Sequence, residues 1–205
     1  MTVRRAVIIG APLLAYLTAL YHPDHLLLGR DPWRFIIVHL LWAPILVLLA
    51  QMIVLLVDGV DGVAASLARG LALPFAVAYT VFTTFGGIAM GAFVWKANAL
   101  PAAQRDQAGV LIHDVSHSAL AHPLYLVATG LWLAAILAMV IALRARAPWP
   151  ALALIAAGAA AFGYNHVQPW GPGGMAAFLA GVVWLEFRPV VAARSSSANA
   201  LRSGR

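Results

Sequence analysis

From Phe35 to Val57, and again from Ala119 to Leu143, the chain contains no aspartate, glutamate, lysine or arginine. Apolar, uncharged runs of this length are what a helix needs to cross a hydrocarbon core. Lipid offers the backbone no hydrogen bonds, so a spanning chain is either helical or a closed barrel. The strict apolar–polar alternation of a barrel strand is missing, which leaves helices. Composition agrees with this reading. The 205 residues are 63% hydrophobic and 10% charged, where a soluble domain carries roughly 25% charge. The expected fold is all-α, a polytopic membrane protein. No polar segment is long enough to bury a core of its own.

The apolar runs divide into six expected spans: Val7–Tyr21, Trp33–Val57, Gly70–Trp95, Ala119–Leu143, Trp149–Asn165 and Gly173–Val191. Residues 1–191 form a single six-transmembrane-helix bundle on this reading. Residues 192–205 are small and polar, and are expected to be a disordered cytoplasmic tail. Arg4 and Arg5 ahead of the first run resemble the start of a signal peptide. A small-x-small cleavage site is missing, so the run reads as an uncleaved first helix. Pro101 opens an expected short interfacial helix in the third outer loop, with Leu111, Ile112, Val115 and Ala119 on one apolar side.

Basic residues set the orientation. With the N-terminus in the cytoplasm, the inner side carries Arg4, Arg5, Arg69, Arg144, Arg146, Arg188, Arg194, Arg202 and Arg205. The outer side carries Arg30, Arg34, Lys96 and Arg105. Both termini are then cytoplasmic in a plasma-membrane protein. The net charge of +6 lies at helix ends, where it suits anionic lipid rather than nucleic acid. Membrane lipids are the expected partners, with no nucleic acid. The chain has no cysteine, which excludes disulfides, thiolate zinc sites and iron–sulfur clusters.

All seven histidines fall at or near the outer face on this topology. His22 and His25 follow the first helix, with Asp24 between them. His39 lies about two turns inside the second. His113, His117 and His122 lie before and at the start of the fourth, and His166 ends the fifth. His113 and His117 stand at i and i+4, a spacing that lets two imidazoles share one metal ion. The metalloprotease pattern H-E-x-x-H fails, because Asp114 rather than glutamate follows His113. Asp24 and Asp114 are candidate orienting carboxylates beside the imidazoles. His39 is the sharpest candidate, since an ionisable residue within a span usually faces the bundle interior or a water-filled cavity. The bland readings stand beside these: polar loop residues at headgroup level, and for His39 an interhelical hydrogen bond.

Gly87 and Gly91 form a G-x-x-x-G in the third run, read as a close-packing face and a possible homo-oligomer contact. Tyr79, Thr80, Thr83 and Thr84 read as hydroxyls bonded back to their own helix. Glu186 beside Arg188 reads as an interfacial pair. Asp58 and Asp61 lack the further aspartates of a magnesium site and read as a turn.

The His-Pro after helix one, the histidine early in helix two, the aromatic and G-x-x-x-G of helix three, "NALP" and "GPGGMAAFLAGVVWLE" together resemble a family. It comprises uncharacterised six-helix integral membrane proteins frequent in actinobacteria. The resemblance covers nearly the whole chain and implies an integral membrane protein, with no activity to carry over. Thr83 stands where those relatives often carry an acidic residue.

Three functions follow from the residues. The first is a metal-dependent enzyme at the outer face, with zinc as the expected ion and copper, iron or haem less suited, acting on a lipid-like or small substrate. The second is a small proton-coupled carrier or pH sensor. The third is a non-catalytic membrane subunit.

Overall fold

The computed structural model describes residues 2–23, 28–116, 118 and 121–187. Within them the chain is entirely helical. The helices are α1 (Val3–Tyr21), α2 (Trp33–Leu56), α3 (Val63–Thr83), α4 (Met90–Asn98), α5 (Ala102–Ser116), α6 (Ala121–Leu143), α7 (Trp149–Tyr164) and α8 (Trp170–Glu186). A six-residue π segment, Thr84–Ala89, joins α3 to α4 without a break.

Among the described residues, four stretches are long and apolar enough to cross a membrane: α1, α2, the continuous Val63–Asn98 and α6. This is fewer than the six spans expected. Helices α7 and α8 reach only 16 and 17 residues. At 1.5 Å per residue they fall short of a roughly 30 Å hydrocarbon core. The expected tail, residues 192–205, lies outside the described residues.

Six helices, α1, α2, α3, α6, α7 and α8, nevertheless close into a ring. In order round the bundle, α1 packs on α2, α2 on α3, α3 on α6, α6 on α7, α7 on α8, and α8 back on α1. Between lipid-facing helices, packing rather than water exclusion supplies the adhesion, so small residues mark the tightest seams. At the α7–α8 seam a Cβ on Gly158 would lie 2.5 Å from the Gly174 carbonyl, and one on Gly174 would lie 2.7 Å from the Gly158 carbonyl. Trp42, Phe75, Trp132, Phe162 and Phe178 fill the middle of the ring, each at most 1% exposed.

Gly87 and Gly91 are spent within the chain. A Cβ on Gly87 would overlap the His39 ring, and one on Gly91 would lie 2.5 Å from Ile36. Their face is therefore taken up by α2.

The two ends of the ring differ in chemistry. At the end holding the N-terminus of α1, Arg4 and Arg5 both pair with Glu186, at 3.3 and 3.4 Å. Glu186 thus joins α8 to α1; Arg188, the partner the sequence suggested, lies outside the described residues. Arg4 also donates to the Leu55 carbonyl, Arg69 to those of Val57 and Val60, and Arg146 to that of Gly59. These are carbonyls at or beyond the C-terminus of α2, which has no further helical partner for them. Asp58 and Asp61 lie in the turn between α2 and α3.

At the opposite end α5 lies outside the ring with no buried residue. Its Leu111, Ile112 and Val115 line a crease with Phe93 and Leu100 of the α4 side. Leu28 packs against Gly109, where a Cβ would collide with it. Leu28, ahead of α2, is thereby in contact with α5.

Candidate metal centre

Three of the seven histidines meet at this second end. His22 is the residue at the C-terminal cap of α1, His39 lies in α2, and His166 lies in the connection between α7 and α8. Their candidate ligand nitrogens all lie within 4.8 Å of one another. His22 is 1% exposed and His39 3%, while His166 is half-buried.

Hydrogen bonds fix which nitrogens face the centre. A neutral imidazole has one donor and one acceptor nitrogen. His22 Nδ1 lies 2.8 Å from the Pro23 carbonyl, and His39 Nδ1 lies 2.7 Å from that of Phe35. A carbonyl only accepts, so each Nδ1 carries the proton and donates it. Each Nε2 is then left with its lone pair, and the two Nε2 atoms approach to 3.4 Å. Two lone pairs so placed repel unless a cation or a proton lies between them. His166 Nδ1 is buried and has no hydrogen-bond partner among the described residues. Burial, and then the nearby His22 and His39, hold the His166 imidazole below its usual pKa. That favours the neutral form, which is the form that binds metals.

The rings stand edge to face. Ring centroids are 4.9 Å apart for His22 and His39, 5.1 Å for His22 and His166, and 6.4 Å for His39 and His166. Phe35, Phe82, Tyr125 and Phe162 wall the cluster. The floor under His39 is Gly87, at the π segment; such bulges recur at functional sites because they open the helix locally.

Side chains tie the three histidine-bearing segments together. Gln168, two residues after His166, donates to the Leu20 carbonyl at 3.0 Å. Arg34, at the start of α2, donates to the Tyr21 carbonyl at 2.8 Å. Both carbonyls are end groups of α1 that need a partner. Asn98 closes the other side, accepting from Gly29 N–H at 2.7 Å and donating to the Arg30 carbonyl at 2.8 Å.

The remaining candidates lie elsewhere. His113 and Asp114 are exposed on α5, and His122 is exposed in the first turn of α6. Asp24, His25 and His117 lie outside the described residues, so the i, i+4 pairing of His113 and His117 does too. Thr83 is buried and donates to the Thr80 carbonyl at 3.1 Å, the back-bonding expected for a hydroxyl in a span. Sequence reasoning missed Gln168, Asn98 and the π segment. Two adjacent glycines, Gly86 and Gly87, were the available signal for the last.

No family model, curated protein or solved structure matches the chain. The resemblance to an actinobacterial family finds no support there. What stands is an all-helical chain with several long apolar helices consistent with a polytopic membrane protein, and a histidine triad capable of coordinating a metal ion.

Proposed function

We propose that this protein is a six-span membrane protein whose His22, His39 and His166 hold one zinc ion near the outer face. The observation that carries the reading is the 3.4 Å approach of His22 Nε2 and His39 Nε2, with both Nδ1 atoms engaged by carbonyls. Backbone carbonyls behind ligand imidazoles are the usual supporting contacts of a zinc site. With Zn–N bonds of about 2.0–2.1 Å, neighbouring corners of a tetrahedron lie about 3.3 Å apart. The His22–His39 separation fits that edge and is longer than the usual N–H···O range of about 2.7–3.2 Å. A shared proton, as in a carrier or pH sensor, is therefore the weaker reading of the same pair. Haem suits the geometry less still: its two axial nitrogens must flank a macrocycle, and these two are nearly in contact.

Three neutral imidazoles are a donor set that catalytic zinc sites use. A zinc ion held by His22, His39 and His166 would supply an activated water at neutral pH. The chain's own contribution is to hold three nitrogens in their ligand tautomers and to wall them with aromatic rings that limit access of bulk water. A hydrolase acting on a lipid-like or small substrate at the membrane surface follows as the preferred activity. The closed ring of six helices supports six spans, with α7 and α8 crossing as a tightly packed short pair. The distribution of arginine supports cytoplasmic termini.

Elemental analysis of the purified protein tests this reading. About one zinc per chain is expected, lost in His22→Ala, His39→Ala and His166→Ala and kept in His113→Ala and His122→Ala. Wild-type protein that binds no transition metal, even after zinc is added and excess removed, would contradict it.

A further inference from the structure

At the histidine end a groove of about 530 Å³ runs down the outside of the ring between α1 and α2. Its shaft is apolar: Leu14 and Leu17 of α1 line it with Ile37 and Leu41 of α2, each about half exposed. Its mouth is different. Tyr21, the last residue of α1, and Trp33, the first of α2, stand there with Asp31 and Arg34. Leu14 to Tyr21 and Leu41 to Trp33 each span about 10–12 Å along their helices. That is less than half of a roughly 30 Å hydrocarbon core, so the groove has the depth of one leaflet. Tyrosine and tryptophan at its mouth suit the level of the lipid head groups.

The mouth carries charges of both signs, each held in place. Arg34 donates from Nε to the Tyr21 carbonyl at 2.8 Å, and its guanidinium lies 5.6 Å from the Tyr21 ring centroid. Its Nη groups remain to meet an anion, and a guanidinium is well matched to phosphate oxygens. Asp31 accepts from the Trp33 N–H through Oδ1 at 3.0 Å. Its other oxygen remains to accept from a cationic donor. Both side chains are exposed, and neither has an ion-pair partner among the described residues. The crease between α4 and α5 differs: Lys96 lines it and, among the described residues, no acid does. An apolar shaft with a cation and an anion at its mouth matches a lipid whose head carries both a phosphate and an ammonium.

We propose that the α1–α2 groove seats one phosphatidylethanolamine, with its phosphate on Arg34, its primary ammonium on Asp31 and an acyl chain between the two helices. The quaternary ammonium of phosphatidylcholine has no N–H to give Asp31, and the head of phosphatidylglycerol has no cation. Tyr21 precedes His22, and Val38, also in the groove wall, precedes His39. The seat and the triad therefore share one end of the ring. The inference rests on the membrane placement proposed above and does not need the metal.

Native mass spectrometry tests it on the full chain in detergent, incubated with equal amounts of phosphatidylethanolamine, phosphatidylglycerol and phosphatidylcholine. Wild type should keep one phosphatidylethanolamine per chain in preference to the other two. Asp31→Asn retains an oxygen for the Trp33 N–H and loses the charge, so the preference over phosphatidylglycerol should fall roughly tenfold. Arg34→Gln should weaken retention of every phospholipid by a similar factor. Because Arg34 also holds the end of α1, Leu17→Trp gives a second reading: it fills the shaft from an exposed position and should lower retention without touching a charge. Lys96→Gln, outside the groove, should retain lipid as wild type does. Wild type that keeps phosphatidylglycerol or phosphatidylcholine at least as well, or Asp31→Asn with an unchanged preference, overturns the proposal; so does a lipid-free dimer. Carbonate washing of the source membranes reads the membrane placement separately. A chain that washes off sinks that placement, whereas one that stays and shows no lipid preference sinks the seat alone.

Discussion

The two ends of the helical ring solve the same problem in opposite ways. At the arginine end, long charged side chains reach across helices and find acceptors: Arg4 and Arg5 on Glu186, Arg69 on the Val57 and Val60 carbonyls, Arg146 on the Gly59 carbonyl. Each of these contacts is explained by the need to satisfy a helix terminus or a charge. At the histidine end, Arg34, Asn98 and Gln168 do that work. The three imidazoles they surround are left with nitrogens turned toward one another. Polar groups that satisfy their surroundings are structural. Imidazole nitrogens brought this close to one another are able to share a metal ion.

The largest effect that sharpens this contrast is expected at His39. His39→Ala removes a ligand and should lower zinc affinity by at least 100-fold, read by competition with a chelator. Gly87→Ala comes next, because its Cβ would overlap the His39 ring. Overpacking of this kind costs about 1–3 kcal/mol, and zinc affinity should fall with stability. Gly91→Ala, pressing on Ile36 instead, should lower the melting temperature and leave zinc affinity unchanged. An equal loss of zinc in both variants would break the link between Gly87 and the centre.

Gln168→Ala removes a contact that positions the His166 segment against α1, without touching a ligand. Loss of such a supporting contact typically costs about 10–100-fold in metal affinity. The zinc-bound spectrum should keep three nitrogen ligands, which separates a positioning role from a lost ligand. At the arginine end, Glu186→Gln loosens two ion pairs whose arginines are nearly half exposed. The expected cost is small, about 1 kcal/mol or less, seen as a salt-dependent fall in melting temperature with zinc affinity unaltered. A fall in zinc affinity there would show that the two ends are coupled.

Much of the architecture was legible in sequence because lipid imposes it. Runs without charge, bounded by Asp31–Pro32, Asp58 and Arg144, mark the ends of α2 and α6 within a few residues. Arginine on one side and histidine on the other separate the two ends. The short helices were less legible. The apolar run suggested a helix from Gly173 to Val191; α8 begins earlier, at Trp170, and is described to Glu186, with residues 188–191 outside the described residues. The apolar pattern does not register that α8 starts ahead of its glycines.

The site was half legible. His39 stood out because an imidazole within a span needs a reason. The local spacing of His113 and His117 drew attention to α5, and there His113 is exposed. The cluster instead joins residues distant in the chain, and what joins them is the order of helices round the ring, with α1 beside both α2 and α8. Hydropathy carries no record of that order. Nor does it reveal that Gly87 serves as the floor for His39, since a G-x-x-x-G reads the same whether it meets a second copy or a neighbouring helix.

The most direct test is X-ray absorption at the zinc edge on zinc-loaded protein, wild type and His22→Ala/His39→Ala. The account predicts imidazole nitrogens at about 2.0–2.1 Å, three in wild type with a lighter fourth ligand, and no ordered zinc in the double variant. An unchanged imidazole signal in the double variant would place the metal on other histidines and contradict the account.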